Sequence, residues 1–218
     1  MNQVDIWHLD LNKALKFSTN SLSANEKEKA RSFVNAVDKN NYISSHIFLR
    51  EVLSSYFLDI KPKEWKFEGN KYGKPFISSS HNLEFYFNLS HTKSDAYIIF
   101  SKEYECGIDI EESNNLEISE GMAKLVFTDN ELEEFLKAKN KEVFFYKHWT
   151  LKEAYLKALG VGIIKNPINT LNIKDKMSDN LLQSNIIDNK KFLAICILNK
   201  NMYIEINYKN IKDLDDKK

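Results

Sequence analysis

Net charge is absent from this chain: 31 basic and 31 acidic side chains cancel over 218 residues. No whole-molecule field draws it to nucleic acid or to an anionic membrane, so any polyanion site has to be local. Cysteine is nearly absent too. Cys106 and Cys196 each sit in an apolar, strand-like stretch without a CxxC partner or a neighbouring histidine, which favours two reduced core residues of a cytosolic protein over a disulfide. Runs of about 18 apolar residues, the length needed to cross a bilayer, are missing. The opening MNQVDIWHLDLN also lacks the basic start and apolar run of a signal peptide. The expectation is a cytoplasmic protein with neither a membrane nor a nucleic-acid partner.

What the chain does have is apolar side chains in usable patterns. A hydrophobic share of 43%, with 12% aromatics, is enough to fill a core. The length suits either one large domain or two intimately packed halves. Residues 4–11 alternate apolar and polar, the period of a half-buried strand. Ser23 stands three residues before Glu26, a capping-box spacing that predicts a helix to about Val37. A second helix over about 38–58 would place Ile43, Ile47, Leu49, Leu53 and Tyr56 on its apolar side. Residues 65–68 resume the alternation, 70–75 read as a turn carrying Lys71 and Lys74, and 85–89 with 96–100 read as a hairpin.

The polar stretch 101–105 is the expected boundary between halves. Beyond it come a strand at 106–111, a helical region over 118–136, and a long helix over 141–159 closed by Gly160. A hairpin of 192–198 and 202–208, turning through 199–201, follows, and 211–218 reads as a loose charged tail. No fixed-period repeat is present. Strands and helices recur in the same grouping, so an α+β fold of two similar halves is expected, each a small, mainly antiparallel sheet with packed helices. The halves span 1–103 and 104–210, with 211–218 as the tail.

Asp109 and Glu111 stand two apart in an apolar strand, so their carboxylates project from one face while Ile108 and Ile110 point into the core. Adjacent like charges repel. A divalent cation relieves them, and two carboxylates are a typical protein share of a Mg²⁺ shell; two solvated acids on an exposed edge would read the same way. Trp149, Glu153 and Lys157 follow one another at i, i+4 and i+8 along the long helix, with Lys152 beside them. The plain reading is a surface ion pair. The chemical one is a face that holds a metal and a phosphate next to Gly160 and Gly162.

Taken in order, KYGKP at 71–75, FNLSH at 87–91, GIDIE at 107–111 and WTLKEAYLKALG at 149–160 resemble the motifs of the 4′-phosphopantetheinyl transferase superfamily. The match is with the monomeric branch that activates peptide and polyketide synthetases, and it covers about 22–162. The resemblance implies two pseudo-symmetric halves and a monomer. It implies Mg²⁺, with Mn²⁺ able to stand in, held by Asp109, Glu111 and Glu153 at the seam. Coenzyme A is the implied co-substrate, with Lys152 and Lys157 near its phosphates, Lys74 in the turn, and Ser90 with His91 at the nucleotide end. The implied partner is an apo carrier protein or carrier domain, whose serine attacks the β-phosphate and releases adenosine 3′,5′-bisphosphate. Lys157 then neutralises the leaving phosphate together with the metal, and Glu131 takes the serine proton directly or through water.

A plain acid at a helix start is the other reading of Glu131, and a core aromatic is the reading of Trp149. Relatives commonly carry an arginine in the stretch equivalent to 40–42, where this chain has Asn41. Lys29 and Arg31 are the candidates to hold the ribose 3′-phosphate in its place. Two rivals stand beside the transferase: a coenzyme A or carrier-binding module that has lost turnover, and another Mg²⁺-dependent phosphotransferase or nuclease using the same acids.

Overall fold

The computed structural model describes residues 2–13, 19–114, 117–162, 167–188, 190–199 and 203–215. The chain runs β1 (Gln3–Asp10), α1 (Ala24–Arg31), α2 (Ala36–Tyr56), β2 (Phe67–Gly69), β3 (Pro75–Ile77), β4 (Tyr86–His91), β5 (Asp95–Ser101) and β6 (Cys106–Glu112). It continues with α3 (Glu120–Val126), α4 (Asp129–Lys137), α5 (Lys141–Leu159), α6 (Ile173–Lys176), β7 (Asn180–Ile187), β8 (Lys191–Leu198), β9 (Glu205–Asn210) and α7 (Lys212–Asp215). The fold is α+β. Among the described residues no helix is long and apolar enough to cross a membrane.

The capping box forms as expected, with Ser23 Oγ accepting from the Glu26 N–H and Glu26 Oε2 from the Ser23 N–H. The helix it opens stops at Arg31, short of Val37. Asn35 takes over as a new N-cap, its Oδ1 accepting from the Val37 and Asp38 amides, while Val34 stands fully in solvent. Glu26 does more than cap. It also receives His46 and the buried Arg50 at 3.0 and 2.7 Å, and Arg50 donates onward to the Pro62 and Trp65 carbonyls. Burial opposes the Glu26 charge, but the His46 and Arg50 hydrogen bonds outweigh it and hold the carboxyl down to about 2.

Two larger sheets carry the molecule, with strand orders β4-β5-β1-β9 and β6-β8-β7. Alternate residues of β1 and β5 face two different cores. Trp7, Leu9, Ile98 and Phe100 pack under Phe48 and Val52 of α2, while Val4, Ile6 and Ile99 meet Ile108, Ile110, Leu193 and Ile195 of the second sheet. On that sheet's other face, Ala194, Cys196 and Leu182 pack against Leu151, Ala154 and Ala158 of α5. The layers therefore run α2, first sheet, second sheet, α5. Both cysteines are free and buried, and burial pushes their thiols up to about 12.

Two expectations at the C-terminal end need correction. Residues 192–198 pair with β7 and β6, whereas β9 crosses to the first sheet and runs parallel to β1, from Gln3↔Glu205 to His8↔Asn210. The hairpin is therefore β7–β8. The turn expected at 199–201 falls partly outside the described residues. The tail is not loose over 211–215, because Leu214 is 2% exposed in the first core; 216–218 lie outside the described residues.

α5 begins under Asn140, whose Oδ1 accepts from the Val143 amide, and ends at Gly160 in the left-handed region at φ 66°. Between these caps it lies directly on β6. A Cβ at Gly107 would overlap the Ala154 carbonyl oxygen and the Ala158 nitrogen, both backbone atoms that cannot rotate away. Gly107→Ala is therefore expected to destabilise by about 3 kcal/mol, read from the urea midpoint. A wild-type midpoint would show that α5 has room to move off the strand.

Candidate active site

The site grows from two strand edges that meet without a ladder. β4 is an edge of the first sheet and β6 an edge of the second. Side chains of β4 take the place of main-chain acceptors: Asn88 Oδ1 accepts the Ile108 N–H at 3.0 Å, and Ser90 Oγ accepts the Ile110 N–H at 3.3 Å. This leaves Gly107, Asp109 and Glu111 on the face of β6 that α5 covers. Because α5 runs antiparallel to the strand, Ala158 meets Gly107, Lys157 meets Asp109 and Trp149 meets Glu111.

Lys157 Nζ lies 2.6 Å from Asp109 Oδ1 and 3.0 Å from Ser90 Oγ, and Ser90 Oγ donates to the same carboxylate oxygen at 3.1 Å. Trp149 Nε1 donates to Glu111 Oε1 at 3.1 Å. Asp109 and Glu153 are 3% and 9% exposed, and Asp109 Oδ2 and Glu153 Oε1 are buried with no hydrogen-bond partner. Burial, then the Asp109 and Glu111 charges, push the Glu153 carboxyl up to about 7 against the pull of Lys157. Burial and Asp109 raise Glu111 as well. Among the described residues no three histidine, cysteine or acidic side chains stand as a ready-made cation cage. The donors nevertheless suit a hard divalent cation: they are all carboxylate oxygens, and two of them are buried with nothing to accept from.

Lys74 reaches the same place from the turn. Gly73 takes φ 89°, Asn70 Nδ2 donates to the Gly160 carbonyl at 2.7 Å, and Lys74 Nζ donates to the Ala158 carbonyl at 2.7 Å. The turn is thus pinned to the negative end of α5. His91, at the end of β4, is exposed, and partial desolvation with the Lys157 and His46 charges nearby keeps its ring below the usual imidazole value. Asn41 holds the β4–β5 turn, donating to the Thr92 and Lys93 carbonyls. Lys29 stands over the Phe33 ring, and neither Lys29 nor Arg31 lines the grooves described below.

Lys152 and Glu131, like Lys29 and Arg31, are not brought to this cluster. Lys152 is fully buried, and its ammonium donates to Glu131 Oε2 at 2.5 Å and to the Val126 and Ile168 carbonyls. All three of its protons are spent inside the protein, so it is not offered to a phosphate. Glu131 is 1% exposed and accepts from Thr128, Lys152 and the Ile173 amide. Burial works against its charge, yet these bonds hold its carboxyl below the ordinary value. It is a cap and a counter-ion between α4, α5 and α6, not a proton acceptor at an open site.

A model of the 4′-phosphopantetheinyl transferase superfamily matches residues 105–200, and one of the 4′-phosphopantetheinyl transferase N-terminal region matches 7–103. The 4′-phosphopantetheinyl transferase HetI of Nostoc sp. is 31% identical over 170 residues, 75% of this chain and 71% of that one. The chain belongs to the 4′-phosphopantetheinyl transferase superfamily. The transferase gsp of Aneurinibacillus migulanus is 35% identical over 160 residues, 69% of this chain and 62% of its own. Sfp of Bacillus subtilis is 27% identical over 156 residues, 70% and 66% of the two chains. The superfamily match is thus with the Sfp-like type.

In this transferase fold a groove of about 440 Å³ opens at Glu153 and Lys157, walled also by Gly73, Lys74, Asn88 and Gly162, while Glu111 lines a separate cleft with Thr92 and Asn114. A second, of about 390 Å³, runs toward Glu26, His46 and Trp65 and shares Pro75, Asn88 and Leu89 with the first. A cavity of about 460 Å³ at Glu51, Lys61 and Leu214 contains none of the cluster. The sequence reading missed Asn88, Asn70 and Arg50. For Asn88 a signal existed: with Ser90 it puts polar groups two apart on an otherwise apolar strand, the same pattern that singled out Asp109 and Glu111.

Two outcomes follow from these charges. Lys152→Met leaves Glu131 buried without its counter-ion and is expected to cost about 3–5 kcal/mol, with Glu131→Gln in the same chain recovering part of the loss in urea unfolding. For Glu153, the unfolded chain gives up its proton near 4.5 while the folded chain keeps it to about 7. The metal-free protein should therefore lose up to about 3 kcal/mol of stability as pH rises through that interval. Glu153→Gln cannot ionise and should flatten the curve, as measured by thermal unfolding with chelator from about pH 5 to 8. Parallel curves for the two proteins would contradict the raised value.

Proposed function

We propose that the chain is a cytoplasmic, monomeric, Mg²⁺-dependent 4′-phosphopantetheinyl transferase that moves the phosphopantetheine arm of coenzyme A to a serine of an apo carrier protein. The observation that carries this reading is the groove floor, where Lys157 is held by Asp109 and Ser90 beside two buried carboxylate oxygens without partners. Family membership supports the reaction, and the two buried, unpaired thiols are in keeping with a reducing compartment.

Asp109, Glu111 and Glu153 would hold Mg²⁺, which when bound neutralises charge on diphosphate oxygens. Trp149 fixes one oxygen of Glu111, so that carboxylate enters the site already oriented. Lys157, the remaining cation of the groove floor, faces the oxygens on which charge builds as adenosine 3′,5′-bisphosphate departs. The left-handed turn at Gly73 and the Lys74 and Asn70 bonds to the end of α5 hold the groove's rim against that helix.

Incubation with coenzyme A, Mg²⁺ and several apo carrier domains tests the reading by mass spectrometry. A carrier that gains the phosphopantetheine arm supports it, and Glu153→Gln should cut the rate about 100-fold or more with little change in fold. Binding of coenzyme A without any gain of mass would leave a binding module, and nucleotide turnover without a carrier would point to another phosphotransferase.

A further inference from the structure

Behind the rim turn lies a cleft that the transferase reading leaves unused. It measures about 440 Å³, inside the span of about 300–1,000 Å³ usual for small-ligand sites. Its wall carries three large apolar side chains left in solvent: Phe76 of β3 at 42% exposed, Tyr86 of β4 at 37% and Leu159 at the end of α5 at 40%. Apolar side chains scattered singly over a surface need no explanation, but three from separate elements around one cleft offer a ligand the area that folding has not buried. Glu84 and Glu105 line the same cleft, and both are exposed. Neither carboxylate has an ion-pair or hydrogen-bond partner among the described residues. Lys74 is the one basic side chain among the described residues of the wall. It feels the Glu105 charge, but its ammonium is spent on the Ala158 carbonyl at 2.7 Å. The cleft thus combines apolar wall with negative charge that no neighbouring cation pairs.

We propose that this cleft is a second binding site, for a small organic amine: the protonated amine meets the Glu84 and Glu105 carboxylates, and an apolar or aromatic body covers Phe76, Tyr86 and Leu159. The ring faces of Phe76 and Tyr86 add attraction for a cation. Two unpaired carboxylates repel an anion, so the phosphates of a nucleotide do not belong here. None of Asp109, Glu111, Glu153 and Lys157 lines the cleft, and the inference therefore stands apart from the transferase reading. The two sites share only the wall formed by Lys74 and Gly160.

Phenethylamine is the probe, titrated into the full chain while the Leu159 methyl signals are followed by NMR. The amine should bind with a Kd of about 1 mM, as a ligand of that size allows. 2-Phenylethanol, which has the same body without the charge, should bind about fivefold more weakly or worse. In the double variant Glu84→Gln, Glu105→Gln the amine should fall to the level of the alcohol, with the alcohol itself unchanged. Leu159 signals that stay put at about twenty times the expected Kd overturn the inference. So does equal binding of amine and alcohol, or a double variant that binds the amine as the wild type does. Should that variant fail to fold, salt serves instead: about 0.5 M must remove most of the amine's advantage on the wild type, and an advantage that persists overturns the inference. An excess of coenzyme A must leave the amine bound, since displacement would seat the probe in the transferase groove and defeat the second site. A chain that binds the amine and transfers no phosphopantetheine supports the second site and sinks the transferase reading alone.

Discussion

With no side chain at Gly107, the backbone of α5 settles against β6 at Ala154 and Ala158, and from that contact the positions of the reactive groups follow. A strand presents alternate residues to one face, and a helix returns to a face every three to four residues. One close contact therefore sets the pairing along both elements, laying Lys157 on Asp109 and Trp149 on Glu111 with Glu153 between. A wider gap at Gly107 would separate all of these groups together. The Asn88 and Ser90 bonds to β6 serve the same end from the other side, since they hold the strand that α5 covers.

Much of this was legible because it is local. Period-two alternation, the Ser23 capping box, the Gly160 cap, the Asp109–Glu111 pair and the i, i+4, i+8 series of Trp149, Glu153 and Lys157 each depend on residues within a few positions of one another. The partner of β9 was not. An apolar, alternating segment announces a strand but not the strand it joins, and a parallel pairing of 205–210 with 3–8 closes almost the whole chain. Nothing near 205 distinguishes that outcome from a hairpin. Leu214 is a single apolar residue among charges, and its burial under α2 depends equally on distant neighbours.

Lys152 is a different kind of miss. Helix geometry alone separates it from Glu153 by about 100°, so a helix that aims 149, 153 and 157 at β6 must aim 152 elsewhere. In this fold elsewhere is the packed side toward α4, where an ammonium survives only with its acceptors supplied. The resemblance implied a place near the phosphates for Lys152, and helix geometry turns it inward instead. The correction to Glu131 follows from the same bond, because the carboxylate that satisfies Lys152 is no longer available to a substrate.

The charge left in the groove floor bears on which ion suits it. Three carboxylates and one ammonium sum to about two negative charges when all are ionised, in a cluster where Asp109 is 3% exposed and Glu153 9%. Such an excess is costly out of water, and the folded protein answers it by raising the Glu153 and Glu111 carboxyls toward their neutral forms. A monovalent cation would leave half of the excess in place. A divalent one matches it, frees Glu153 from holding a proton at neutral pH, and retains open positions for phosphate oxygens, because two to three protein carboxylates do not complete its shell. The charge excess that α5 and β6 hold on these acids is thus of the size and sign that one bound dication would relieve.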